Sequence, residues 1–207
     1  MRITGGKARG IVLKVPKNVE IRPSTDINRQ RIFNRIGAEI KDAVVWDCFA
    51  GTGAFGLEAL SRGAKEVIFF EKNPKTVLQL KQNAASVCKS ACLEVENCVK
   101  IVTVDIFGTN FAVFKQPNFI FFDPPYRFWS EQPDALHTTL ANLGTLFPNA
   151  VLVLGFPSQV AWSTQFLWQP LRPLKVSRKI NDPQIELFRT VDGAKVLNNA
   201  IRTNSRT

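Results

Sequence analysis

The 207-residue chain has no apolar run near the roughly 18 to 20 residues that a membrane-spanning helix needs. Its longest candidates, such as Ala150 to Leu154, are strand-sized, which excludes helical membrane insertion. Histidine is almost absent, His137 being the single copy, and the four cysteines Cys48, Cys88, Cys92 and Cys98 match no zinc-ligand spacing. No metal site is expected. The reading left is four reduced thiols, with Cys48 in a strand and the rest around a helix end. Met1 to Gly10 is basic but runs through Gly-Gly and Lys-Ala-Arg-Gly without an apolar stretch, so no secretory signal is read and a cytoplasmic location is expected. Internal repeats and low-complexity tracts are missing as well.

What is there is an ordinary globular composition. With 45% apolar and 21% charged residues the chain can bury a sizeable core, and its length suits one domain with a small appendage. The net charge of +10 is uneven: residues 1–41 carry ten basic and three acidic side chains, residues 42–171 nine and eleven, residues 172–207 eight and three. A near-neutral body with basic ends fits a catalytic unit that meets a polyanion, because phosphate-neutralising Lys and Arg supply most sequence-independent nucleic-acid affinity. Solubility, or an acidic protein partner, is the competing explanation.

Ile3 to Leu13 reads as two short strands around a glycine-rich turn, with Ile11 to Val15 as the second, and Arg22-Pro-Ser-Thr-Asp26 as a turn ending in helix-capping residues. Ile32, Phe33, Ile36 and Ile40 then recur at helical spacing through Lys41, a helix expected to carry Arg29, Arg31 and Arg35 on its polar side. From residue 43 strands and helices alternate. The strands are Ala43–Cys48, Val67–Phe70, Val99–Val104, Phe119–Phe122 and Ala150–Phe156, with helices through Arg62, from Pro74 to about Cys88, and from Pro133 to Leu143. Leu174–Arg178 and Gln184–Thr190 read as a final antiparallel pair, and the tail after Asp192 as frayed. The pattern implies an α/β fold with a doubly wound, mainly parallel sheet of seven strands, Rossmann-like. Residues 1–41 form a basic hairpin and helix extension, 42–190 the main domain and 191–207 a polar tail.

Asp47-Cys-Phe-Ala-Gly51-Thr-Gly53-Ala-Phe-Gly56 follows an expected strand and opens an expected helix, the context that gives Gly-x-Gly-x-x-Gly its meaning. Glu71 closes the second strand, where a doubly wound fold presents a carboxylate to ribose hydroxyls. A dinucleotide would bring a pyrophosphate to the helix N-terminus, and Asp47 would repel it. S-adenosylmethionine (SAM) has no phosphate and brings an ammonium that an Asp at this strand end can meet, so SAM is favoured over NAD. A plain helix cap is the alternative for Asp47. Asp105 ends the third strand, suited to accept from an adenine amine while Ile106 covers the ring; a loop cap explains it equally well.

Phe119 to Phe122 leads into Asp123-Pro124-Pro125-Tyr126 at the carboxyl edge of the sheet. Two prolines remove two amide donors and leave acceptors, which suits a substrate that donates hydrogen bonds, such as an exocyclic amine. Asp123 and a proline carbonyl can accept both amine N–H bonds and favour a tetrahedral, lone-pair-forward nitrogen, while Tyr126 stacks on an unpaired base.

Asp-x-Phe-Ala-Gly-Thr-Gly, Glu71-Lys72-Asn73 and Asp123-Pro-Pro-Tyr resemble the class I SAM-dependent amino methyltransferases of the Asn/Asp-Pro-Pro-Tyr/Phe group. The opening Arg2-Ile-x-Gly-Gly-x-x-Arg-Gly, with Arg22-Pro-x-Thr-Asp and Phe33-Asn34, resembles the bacterial RsmD family, which methylates N2 of one guanine in 16S ribosomal RNA. This resemblance spans about residues 1–190. It implies that Asp47, Phe49, Ala50, Gly51, Thr52, Gly53, Glu71, Lys72, Asp105 and Ile106 hold SAM and that Asp123, Pro124, Pro125 and Tyr126 hold the guanine amine. It further implies that Lys7, Arg9, Arg22, Arg29, Arg31 and Arg35 meet 16S rRNA within a 30S subunit or assembly intermediate. After Thr25-Asp26 the family runs Arg-x-Arg-Glu, whereas this chain has Ile27-Asn28-Arg29-Gln30; one Arg and one Glu are missing, and Arg31 is the candidate substitute. The C-terminal strand also lacks the family's glycine. A SAM- or RNA-binding assembly factor without turnover, and an amino methyltransferase acting on DNA or a protein glutamine, are the competing functions.

Overall fold

The computed structural model describes residues 1–15, 26–158, 160, 167–172 and 183–190. Strands β1 (Val44–Asp47), β2 (Glu66–Phe70), β3 (Val99–Val102), β4 (Phe119–Phe122) and β5 (Val151–Pro157) pair in parallel, and β7 (Pro183–Thr190) runs antiparallel to both β5 and β6 (Trp168–Pro170). The seven strands lie in the order β3-β2-β1-β4-β5-β7-β6. Every residue of β1, β4 and β5 is buried. Continuous apolar strands of this kind belong in a parallel sheet covered on both faces.

Successive side chains of a strand point to opposite faces, and the core divides accordingly. Val45, Phe69, Phe121 and Val153 face α1 (Asp26–Ile36), α2 (Ala54–Ser61) and α3 (Pro74–Ala91). Trp46, Phe70, Phe122 and Leu154 face α6 (Pro133–Leu146) and the chain around Phe111. Two short helices, α4 (Val95–Cys98) and α5 (Phe128–Glu131), complete the set. Helix α3 starts sharply because Asn73 accepts from the Lys75 and Thr76 N–H groups while Pro74 takes a position that needs no donor.

The N-terminal segment is not built on a core of its own. Ile3, Ala8 and Leu13 are buried in the same cluster as α1, α2 and the sheet. Its hairpin pairing is a single bridge, Arg2 with Val12, flanked by Ile3 N–H to Ile11 O at 2.9 Å and Leu13 N–H to Met1 O at 3.0 Å, rather than two regular strands. The first helix ends at Ile36 instead of Lys41, because Gly37 takes a φ of +59° and the chain continues as a 3-10 turn over Gly37–Ile40. Strand β3 stops at Val102, two residues early, and α3 runs on to Ala91.

The expected strand at Leu174–Arg178, the residues 22–25 and the tail after Asp192 lie outside the described residues. Among the described residues, β7 is flanked by β5 and by Trp168–Pro170. Trp168 is buried, and its Nε1–H donates to the Leu140 carbonyl of α6 at 2.8 Å, which anchors that short strand. Cys88 lies in α3, Cys92 caps it, and Cys98 ends α4; Cys88 and Cys98 approach to 3.7 Å between sulfurs. Burial, with Cys98 beside it, pushes the Cys88 thiol up to about 12, which keeps it protonated.

Candidate active site

Asp47, Glu71 and Asp123 stand at or just beyond the carboxyl ends of β1, β2 and β4, three adjacent strands. The register sets Asp47 beside Phe69 and Phe121, so Asp123 follows two residues later on the same edge. Asp47 is only 3% exposed. Its Oδ2 accepts from the Gly56 N–H at 2.9 Å, which caps the first turn of α2 where Gly53, at the N-cap, has no side chain to offer. Burial pushes the Asp47 carboxyl up to about 7, and the nearby Asp123 and Glu71 charges push the same way against the Gly56 hydrogen bond. The carboxylate is therefore both a cap and a buried acid in want of a cation.

Gly51 and Gly53 take φ values of +54° and +87°, the left-handed region in which a side chain is strained. A Cβ on Gly53 would also come 2.4 Å from Leu80 Cδ1. Glu71 ties this turn down: Oε2 accepts from the Gly51 N–H at 2.9 Å and Oε1 from the Asn73 N–H at 2.8 Å. A carboxylate has about four acceptor sites, so two stay available for a pair of hydroxyls. The Thr52 Oγ1 is buried with no hydrogen-bond partner among the described residues, while its carbonyl accepts from Asn83 Nδ2 at 3.0 Å. An orphaned hydroxyl inside a glycine turn bordered by two carboxylates fits a polar cofactor with an ammonium and a ribose. Phe49 is half-buried on the same turn, and Ala50 is buried, its N–H donating to the Phe70 carbonyl at 3.1 Å.

Beyond Glu71, Lys72 Nζ lies 3.2 Å from Asp105 Oδ2 and 5.5 Å from the centre of the Phe128 ring. Asp105 Oδ1 accepts from the Phe107 N–H at 3.1 Å, so Asp105 does cap its own loop while its second oxygen faces a cation. That turn directs Ile106 into the core at 3% exposure. The aromatic wall beside Asp105 is supplied instead by half-buried Phe107, with Phe49 at 6.0 Å and Phe128 at 5.6 Å between ring centres. Phe107 and Phe128 carry no motif, and only the tertiary fold brings them to Phe49.

At the end of β4, Asp123 is half-buried and Pro124 buried. The Pro125 carbonyl accepts from the Phe128 N–H at 2.9 Å and the Tyr126 carbonyl from the Trp129 N–H at 3.1 Å, so the peptide turns at once into α5. This commits the Pro125 carbonyl to the turn. Gly155 on β5 makes room for Asp123: a Cβ there would sit 1.9 Å from Asp123 Oδ1. The indole Nε1 of Trp129 is a buried donor without a partner among the described residues. Neither Gly155 nor Trp129 was legible as a site residue, because each acts through a neighbour on another element.

The basic side chains divide. Lys7, Arg9 and Arg31 are exposed, and Arg22 lies outside the described residues. Arg35 is ion-paired with Glu186 on β7. Arg29, expected on the polar side of α1, is completely buried. Its Nε faces Glu58 Oε2 at 3.4 Å, and its Nη2 donates to Asp26 Oδ1 at 2.9 Å and to the Arg2 carbonyl. Glu58, itself fully buried on α2, also accepts from the Thr4 N–H and Oγ1 at 2.7 Å each and from Arg62 Nε at 2.7 Å. A buried carboxylate needs countercharges, and Arg29 supplies one, so it bolts the N-terminal segment to α2 and is no part of an exposed RNA surface.

The strand order and the acid-rimmed carboxyl edge are those of a class I methyltransferase fold. The family described as "Conserved hypothetical protein 95" matches residues 1–177, and the chain belongs to it. The ribosomal RNA small subunit methyltransferase D of Escherichia coli strain K12 is 39% identical over 127 residues, which span 61% of this chain and 61% of that protein. The protein of the same name from Haemophilus influenzae is 34% identical over 160 residues, 73% of this chain and 76% of that one. Among solved structures, a putative methyltransferase from Escherichia coli, yhhF, superposes with a TM-score of 0.69 at 29% identity, covering 92% of this chain and 97% of that one.

Proposed function

We propose that the protein is a SAM-dependent methyltransferase that modifies the exocyclic N2 of a guanine in 16S ribosomal RNA. The observation that carries this reading is the pairing of Asp123-Pro-Pro-Tyr at the end of β4 with the buried Asp47 and the half-buried Glu71 at the ends of β1 and β2. The names of the family relatives, methyltransferases of small-subunit ribosomal RNA, support the RNA substrate. The N2 specificity and the 30S context rest on the motif resemblance.

Asp47 would meet the ammonium of SAM, Glu71 the ribose hydroxyls, and Asp105 the adenine amine, with Phe49, Phe107 and Phe128 as the apolar wall. When bound, SAM supplies an electrophilic methyl group on a sulfonium. The protein's own task is to make a poor nucleophile competent. The guanine amine donates one N–H to Asp123 and the other to the Pro124 carbonyl, which draws its lone pair out of conjugation and toward the methyl. Tyr126 stacks on the extruded base and fixes its height above the acceptors. As N2 acquires the methyl it becomes cationic, and the Asp123 carboxylate stabilises that charge and takes the proton the nitrogen must lose. Pro124 and Pro125 offer no N–H that would compete for Asp123.

The test is single-turnover transfer of labelled methyl from SAM to 16S rRNA by an Asp123→Ala variant. SAM affinity should remain close to wild type while the rate falls about 100- to 1000-fold, the scale of losing one such electrostatic contact. A near-normal rate would remove the mechanism. Methylated DNA or protein glutamine in place of methylated RNA would redirect the substrate assignment.

A further inference from the structure

A second concavity lies away from the acids. An open pocket of about 480 Å³ is lined by Gly6, Phe33, Asn34, Gly37, Ala38, Ile40, Lys41 and Arg62. Lys41 precedes β1 and Arg62 follows α2, so the pocket sits toward the amino ends of the strands, whereas Asp47, Glu71 and Asp123 occupy the carboxyl ends. The four residues of β1 alone separate the two edges by roughly 13 Å. We infer that this pocket is a second RNA site that takes one unpaired nucleotide of the substrate, remote from the base that is methylated. The inference rests on the reading of the protein as an RNA methyltransferase and adds an anchoring point to it.

The volume falls within the range of small-ligand pockets, about 300 to 1,000 Å³. Ala38 and Ile40 give it an apolar floor for a base, and exposed Asn34 brings a donor and an acceptor to the rim, the pair needed to read a base edge. The Arg62 guanidinium is held in place before any ligand arrives. Its Nε donates to Glu58 at 2.7 Å, its Nη2 to Thr4 Oγ1 at 3.2 Å, and its plane lies 5.1 Å from the Phe33 ring centre.

The hairpin turn forms one wall and brings charge with it. Lys7 N–H donates to Ser61 O at 2.7 Å, next to Arg62, and exposed Lys7 and Arg9 belong to the same turn as the lining residue Gly6. Of the two acids nearby in sequence, Glu39 has Arg189 at 3.8 Å, and Asp42 adjoins Lys41. Exposed Lys41 and the held Arg62 guanidinium beside an apolar floor suit a sugar-phosphate chain that drops a base inward, and they do not suit a basic protein segment. Gly6 cannot carry a side chain here, since its φ is +77° and a Cβ would meet Ser61 O at 1.9 Å. The Gly5-Gly6 and Phe33-Asn34 motifs, which neither the cofactor nor the amine clamp uses, thus converge on one pocket.

The full-length protein with Asn34→Ala and Lys41→Ala combined tests this, because both side chains are exposed and the core is untouched. For protein-free 16S rRNA we expect the dissociation constant to rise about tenfold, and KM to rise likewise for the RNA that the wild type methylates, free or within a 30S particle, with kcat at saturating RNA, SAM affinity and the thermal midpoint unchanged. Ultraviolet crosslinking of the wild type to the same RNA should attach nucleotides to the peptide spanning residues 33–41. An unchanged KM, or no crosslink in that peptide, overturns the inference. A double variant that binds protein-free RNA as tightly as the wild type and is defective only on assembled 30S particles also overturns it and makes a protein the occupant. If the wild type methylates neither the protein-free RNA nor assembled 30S particles, the RNA-methyltransferase reading fails, while binding isotherms of the double variant and the crosslink map still decide the pocket.

Discussion

Lowering the pH from neutral to 5 should weaken SAM binding by roughly two orders of magnitude, and Asp47 is the reason. Its native carboxyl titrates at about 7, against an ordinary 3.8, chiefly because it is buried. With Asp47 meeting the cofactor's ammonium as proposed, binding would need the ionised form. Below pH 7 each unit of acid therefore costs about tenfold in affinity, and binding at acid pH must release close to one proton. The folding side has the opposite sign. A carboxyl whose native value is raised contributes stability that is fully present below about pH 4 and lost as pH rises through 7. Ionised Asp47 therefore disfavours the folded protein at neutral pH, and a cation held beside it would offset that cost.

Isothermal titration in buffers of different ionisation enthalpy, between pH 5 and 7.5, reads both the affinity and the proton count. The upper limit avoids the cofactor's own α-amino group, which ordinarily titrates near 7.7 to 8.0. Asp47→Asn is the matched control, because its carbonyl oxygen can still accept from Gly56. That variant should bind SAM weakly at every pH, with a flat profile, and should melt higher than wild type at neutral pH without ligand. An affinity that stays constant from pH 5 to 7 in the wild type, with no proton released, would refute the linkage.

Two further outcomes follow from contacts far apart in the chain. Gly155→Ala should abolish methyl transfer while leaving SAM binding intact, since the new methyl group would lie 1.9 Å from Asp123 Oδ1 and displace that carboxylate; a labelled-methyl assay with wild-type turnover would contradict this. Glu58→Gln should lower stability by about 1.5 to 3 kcal/mol, because it removes the buried charge that Arg29 and Arg62 share and leaves Arg29 only Asp26 as a countercharge among the described residues; urea unfolding with a midpoint close to wild type would show that the cluster is not the bolt between α1 and α2.

The alternation of apolar strands, glycine turns and amphipathic helices fixes the α/β architecture locally, and the same local signals mark Asp47, Gly51, Gly53, Glu71 and Asp123. Each stands at a strand end, where the parallel sheet presents its carboxyl edge whatever packs around it. Arg29 was misjudged because helical spacing gives a residue its face but not its partner, and Glu58 lies 29 residues away on another helix. Gly155 is an unremarked glycine in an apolar strand until the β4–β5 pairing puts Asp123 beside it. Phe107 and Phe128 gather around Phe49 only when β1, the loop after β3 and the turn after β4 meet at one edge. The pocket at Asn34 and Lys41 exists because Gly6 lets the hairpin turn lie against the end of α2. Sequence alone determined the chemistry each strand end carries, since that depends on neighbours along the chain; the tertiary structure decided which charges are buried, which space is cleared and which motifs converge, since those depend on side chains brought together across elements.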